Sequence, residues 1–166
     1  MFVLGIDPGL SRCGYGCVEW HAGVSRAVAA GVLTTPPADE LPARLLSLQE
    51  EFVALLAELE PQVVAVERLF FQVNARTAMA VGQASGVILA AAAEIGCEVA
   101  MYTPNEVKQA VAGYGGAPKE QVQRMVQSLL GLAEKPKPAD AADALALALC
   151  HLANAPLRAR VATATR

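Results

Sequence analysis

Val3, Leu4 and Ile6 form a short apolar run that Asp7 closes, and Pro8-Gly9 then forces a turn, the pattern of a buried strand. Residues 13–20 and 25–35 read as two further strands joined around His21-Ala22-Gly23, so the chain opens as an antiparallel meander. Pro36-Pro37 breaks it. Over residues 41–60 the positions Leu45, Leu48, Phe52, Leu55, Leu56 and Leu59 recur at three- and four-residue steps, with Arg44, Glu51 and Glu58 on the other side, which predicts an amphipathic helix. After Pro61, Val63-Val64-Ala65-Val66 is apolar throughout and predicts a strand buried on both faces, again ending in a carboxylate, Glu67.

An Ala-rich helix is expected over 75–95 and a fifth strand over 97–102. Thr103-Pro104-Asn105-Glu106 carries a helix start, with Thr as N-cap, Pro at the first position and Glu closing a capping box. A Gly-rich loop at 113–118 leads into a helix over 119–130. Lys135-Pro136-Lys137-Pro138 is a stiff connector into a last helix over 139–152. The order predicts an α/β domain with a mixed five-stranded sheet, three antiparallel strands followed by two parallel ones, and helices on both faces. Residues 1–153 make one domain, and residues 154–166 are expected to be a disordered basic tail.

Composition narrows the class. Of the 166 residues, 54% are hydrophobic and 17% charged, which excludes disorder over most of the chain. Cys13, Cys17, Cys97 and Cys150 show no metal-binding spacing, and reduced thiols in a cytoplasmic protein fit them best. Residues 1–20 lack the basic start and small-residue cleavage site of a secretory signal. The uncharged stretch 77–93 approaches spanning length, but Ala, Gly, Gln83 and Ser85 make it a buried helix rather than a membrane span.

The net charge of −3 argues mildly against a nucleic-acid partner, yet it is unevenly spread. Residues 1–65 hold three basic and eight acidic residues, whereas residues 66–166 hold ten basic and eight acidic. If cations cover Glu67, Asp140 and Asp143, the second part leaves room for a local basic face.

Taken singly, each acid has a plain structural explanation. Asp7 could serve its turn, and Asp140 and Asp143 could complement a helix N-terminus, Asp140 as its N-cap. Glu67, closing an all-apolar strand, is harder to explain that way. Together they suggest more. If the strands ending in Asp7 and Glu67 are parallel neighbours, their carboxylates emerge at one sheet edge, and Asp140 and Asp143 share one helix face. Four converging carboxylates repel one another unless cations neutralise them. Oxygen donors without His or Cys select hard ions, Mg²⁺ or Mn²⁺, and two such ions about 4 Å apart suit attack of water on a phosphodiester.

The segments GIDPGLSRCGYG, VVAVERLFFQVNA, NEVKQAVAGYG with APKEQVQ, and ADAADALALALCH together resemble the RuvC family of Holliday-junction resolvases. The resemblance covers residues 2–153, with the motifs in the family's order and spacing. Any one is weak, since a G-I-D-x-G strand also opens actin-like ATPases. The resemblance implies a ribonuclease-H-like fold, a homodimer and Mg²⁺-dependent paired nicking of four-way DNA junctions, with a RuvAB-type branch-migration complex as partner. It implies catalytic acids at Asp7, Glu67, Asp140 and Asp143, functional lysines at Lys108 and Lys119, and a junction-probing aromatic at Phe70.

Lys119 starts a helix, where the dipole disfavours a cation, so contact with a phosphate is preferred to a structural role. Lys108 could equally be a solvated helix residue. Phe70 is expected outward, where it could stack on an unpaired base, and Phe71 inward. Arg68 and Arg76 flank that loop as candidates for backbone phosphates, with Arg124 a weaker one. Gly82 and Gly86 could mark either close packing on the sheet or a dimer contact. His21 and His151 are read as bystanders. The competing readings are a nuclease of the same fold acting on RNA, an actin-like nucleotide-binding module, and a junction-binding protein without catalysis. A chain of 166 residues supplies only one of the two lobes that an actin-like module needs.

Overall fold

The structure, a computed structural model, describes residues 1–68 and 75–164, with residues 75–77 and 156–164 as backbone only. Strands β1 (Phe2–Asp7), β2 (Arg12–His21), β3 (Val24–Thr34), β4 (Val63–Glu67) and β5 (Glu98–Tyr102) form one sheet in the order β3-β2-β1-β4-β5. β1, β2 and β3 pair antiparallel, while β4 runs parallel to both β1 and β5. The predicted mixed sheet is the one observed. Ala22 and Gly23, at φ 50° and 85°, make the tight turn between β2 and β3, with His21 paired to Val24.

Alternation along the central strands separates two cores. Leu4, Ile6, Val64 and Val66 face helices α1 (Leu41–Leu59) and α2 (Ala75–Glu94), meeting Leu48, Phe52 and Leu56 of α1 and Ile88 of α2. Val3, Val63 and Ala65 face the other side, covered by α3 (Pro104–Ala112), α4 (Lys119–Leu129) and α5 (Ala139–Ala164). The same period of two assigns Asp7 and Glu67 to the α5 side, since they follow Gly5 and Ala65 by two residues.

Helix α5 crosses β1 and β2 at unusually short range because glycines face it. A Cβ on Gly5 would stand 1.9 Å from the carbonyl oxygen of Ala144, and one on Gly14 would stand 2.3 Å from that of Asp140. Only the missing side chain lets the helix backbone lie directly on the sheet.

Three details differ from the sequence expectation. The last helix does not stop near residue 152 but continues to Ala164. Asp140 is not an N-cap; it lies within the first turn of α5, so its carboxylate is free to reach sideways instead of folding back on the helix end. Gly86 is exposed and a Cβ there would meet nothing within 4 Å, so close packing on the sheet is not its role. Phe70 and Phe71 lie outside the described residues. Among the described residues no helix is long and apolar enough to cross a membrane.

Candidate active site

β1 and β4 are in register from Val3 opposite Val63 to Ile6 opposite Val66, so their next residues, Asp7 and Glu67, emerge side by side at one edge. β1 and β4 are buried up to the residues that precede their ends, and both terminal carboxylates are half-buried. α5 brings Asp143 over the same edge, and α3 and α4 add Lys108 and Lys119. Asp7, Glu67, Lys108, Lys119 and Asp143 line one cleft of about 220 Å³, floored by apolar residues of α3 to α5 that include Val107, Val122 and Leu147.

The electrostatics follow from this crowding. Burial, reinforced by Glu67, Asp143 and Asp140, pushes the Asp7 carboxyl up to about 7. Glu67 is raised in the same direction, by burial first and then by Asp143, with Lys119 and Lys108 opposing. Lys119 donates to Asp143 Oδ2 at 2.5 Å, and that hydrogen bond raises its own pKa. A lysine in the first turn of α4 opposes the helix dipole, and Asp143 is the group that offsets the cost.

Asp140 is held differently. Arg12, the first residue of β2, donates to its Oδ2 through Nε at 2.9 Å and through a terminal nitrogen at 2.7 Å. The loop that leads to Arg12 is braced from below. Thr35 donates its hydroxyl to the Leu10 carbonyl at 2.5 Å, while Arg44 donates to the hydroxyls of Thr35 at 2.9 Å and Ser11 at 2.7 Å. With Asp143 turned to Lys119 and Asp140 to Arg12, no three His, Cys, Asp or Glu side chains among the described residues stand close enough to hold one ion.

The donor set nevertheless suits a hard cation. It offers only oxygen, it is partly withdrawn from water, and burial together with the neighbouring carboxylates raises the Asp7 carboxyl to about 7. A divalent ion bound among these carboxylates would relieve that repulsion.

The remaining expected residues divide. Lys108 is half-buried at the cleft wall and faces Glu67, so it is more than a solvated helix residue. Arg68 is exposed one residue beyond Glu67; its backbone N–H donates to the Tyr102 carbonyl at 2.7 Å and its charge reaches Glu106. Arg76 lies in the first turn of α2, where only the backbone is described. Arg124 is exposed on α4 near Glu120. His151 is buried with Nδ1 2.9 Å from the Tyr102 hydroxyl and does not line the cleft.

Two arginines escaped the sequence reading. Arg44 was assigned to the solvent side of α1, and Arg12 to nothing. Arg12 had one available signal, a cation placed where a strand restarts five residues after Asp7. Its partner 128 residues away could be known only from the crossing of α5.

The whole arrangement has close relatives. The family model described as "Crossover junction endodeoxyribonuclease RuvC" matches residues 3–151. A protein of that name from Moorella thermoacetica is 57% identical over 160 residues, covering 96% of each chain. Among solved structures, Thermus thermophilus RuvC superposes with a TM-score of 0.86 at 41% identity, covering 95% of this chain and 96% of that one. The same Thermus protein in complex with a Holliday junction substrate gives 0.86 at 38% identity over the same shares. The mixed sheet is thus the ribonuclease-H-like one. With the matched segment spanning nearly the whole chain and the cleft at its centre, the chain belongs to the RuvC family of crossover junction endodeoxyribonucleases, the Holliday-junction resolvases.

Proposed function

We propose that the cleft at the β1–β4 edge resolves four-way DNA junctions by paired, symmetric hydrolysis of phosphodiesters, leaving 5′-phosphate ends, in recombination and repair. The observation that carries this reading is the convergence of Asp7, Glu67 and Asp143 with Lys108 and Lys119 in one half-buried cleft of a chain so similar to a junction-bound relative. Asp7, Glu67, Asp140 and Asp143 would hold two Mg²⁺ ions, for which Mn²⁺ would substitute. When bound, such ions supply Lewis-acid activation of water and stabilisation of the leaving 3′-oxygen.

The protein groups have separate tasks. Asp7 and Glu67, fixed at adjacent strand ends, set the spacing of the donor oxygens. Lys119 and Lys108 bring positive charge to a cleft that would otherwise repel a phosphate, and Lys119, paired with Asp143, would stabilise charge that develops at the phosphate. Arg68 and Arg76 would hold backbone phosphates beside the cleft, and Phe70 would stack at the crossover. The apolar floor beneath the carboxylates limits water access and strengthens each of these interactions.

A synthetic four-way junction and a linear duplex, each incubated with Mg²⁺, Ca²⁺ or EDTA, test the reading. Cleavage is expected for the junction in Mg²⁺ alone. Ca²⁺, larger and less strict in geometry, should support binding with little cutting. Equal cutting of the linear duplex, or cutting in EDTA, would refute it.

Two symmetry-related cuts require two identical sites, so the working unit is a homodimer. Sedimentation at micromolar concentration should give a dimer; monomer alone, with and without the junction, would count against paired cleavage. The setting is cytoplasmic, with a RuvAB-type branch-migration complex delivering the junction.

A further inference from the structure

Arg12 is the cation of the site that the reaction does not explain. It lies outside the cleft, at the start of β2, and its side chain is half exposed at 52%. Two of its nitrogens are nevertheless spent on one oxygen of Asp140. Asp140 itself does not line the cleft shared by Asp7, Glu67 and Asp143. The braces from Thr35 and Arg44 hold the loop leading to Arg12, so the guanidinium is presented from a fixed base.

We propose that Arg12 is an exchangeable counterion. In the free protein it neutralises Asp140 and holds it away from the other carboxylates. When a divalent ion claims Asp140, the guanidinium is released toward solvent and is offered to a backbone phosphate of the DNA. Metal binding and DNA binding are thereby coupled through one side chain. The inference rests on the reading of Asp140 as a metal ligand.

The physics favours exchange over a permanent clamp. Exposed ion pairs are weak, so Asp140 is not locked to Arg12. A divalent ion placed beside an unmoved guanidinium would be repelled by it, which gives the arginine reason to leave. A freed guanidinium at the rim of a phosphate-binding cleft then has a suitable anion to meet.

The test uses the full-length chain with Arg12→Gln and Arg12→Lys. Thermal-shift titration with Mg²⁺ and no DNA should show the midpoint for Arg12→Gln falling about five- to tenfold, because a competing charge has gone. Junction affinity, measured at one salt concentration in EDTA and in Ca²⁺, should fall at least about threefold further in Ca²⁺ than in EDTA for the same variant, since only there is the wild-type arginine free. Arg12→Lys keeps the charge but not the two-nitrogen contact, so its Mg²⁺ midpoint and junction affinity should lie nearer the wild type than those of Arg12→Gln, which separates charge from folding.

A wild-type protein that does not respond to Mg²⁺ would overturn the metal reading and this inference with it. A wild type that responds, with Arg12→Gln unchanged or weaker in its Mg²⁺ midpoint, would overturn the counterion role alone. Equal junction losses in EDTA and Ca²⁺ would overturn the transfer to phosphate.

Discussion

Replacing Asp7 by Asn should abolish junction cleavage and, in EDTA at pH 8, raise the melting temperature of the protein. The first effect is a loss of about a thousandfold or more, since removing a central oxygen ligand forfeits several kcal/mol of charge stabilisation and each 1.4 kcal/mol is tenfold in rate. Junction binding in Ca²⁺ should persist, because one repulsive charge near the DNA is gone. The second effect follows from the raised pKa. The folded protein holds the Asp7 proton up to about pH 7, whereas the unfolded chain releases it near 3.8. Between those values the folded state binds more protons, so its stability falls as pH rises through that window.

The penalty is small at pH 4 and fully developed above pH 7, where it opposes folding. Asn never carries the charge and escapes it. Allowing for partial solvent screening at a half-buried site, the gain at pH 8 is on the order of 2 kcal/mol. That corresponds to about 4–8 °C in a chain of this size. Melting curves of both proteins at pH 4 and pH 8 check it: a gap that does not widen with pH would show that burial and the neighbouring acids do not raise the Asp7 carboxyl. Added Mg²⁺ should raise the wild-type melting temperature at pH 8 and leave the Asn variant nearly unmoved.

Gly5→Ala should be the most damaging added methyl among the described glycines. Its Cβ would collide with the backbone carbonyl of Ala144, and a helix backbone cannot rotate out of the way as a side-chain end can. α5 must then lift from β1, breaking the packing of Leu145, Ala148 and Leu149 in the core beneath it. A loss of about 3 kcal/mol or more is expected, lowering the melting temperature by about 10 °C. The same displacement moves Asp140 and Asp143 relative to Asp7, so cleavage by the surviving folded protein should fall as well. A control at Gly86, where an added Cβ meets nothing, should change stability little or improve it, since Ala favours the helix. If Gly5→Ala and Gly86→Ala melted alike, the close approach of α5 to the sheet would be wrong.

The strands and helices were legible in the chain because each rests on local physics. The short apolar run of β1, the all-apolar run of β4, the three- and four-residue spacing of α1 and the Thr103–Glu106 capping box all appear in the structure where the pattern put them. The strand-end acids could be singled out for the same reason, since a carboxylate that closes an apolar run departs from its local pattern. Parallel pairing of β1 and β4 then brings Asp7 and Glu67 together with no further information.

What the sequence could not decide was everything set by the crossing of α5 over the sheet. The far end of that helix was misjudged because residues beyond Leu152 have little apolar pattern to extend it. Taken alone, Asp140 could have been an N-cap as readily as a metal ligand, and only the structure excludes the cap and turns it toward Arg12. Nothing in the local pattern marks the glycines of β1 and β2 as the places where a helix backbone lies against the sheet. Local pattern follows from bonds and side-chain spacing along the chain and is written in neighbouring residues. The meeting of β1 with α5 depends on close packing across about 140 intervening positions, and no window of the sequence contains both sides of that contact.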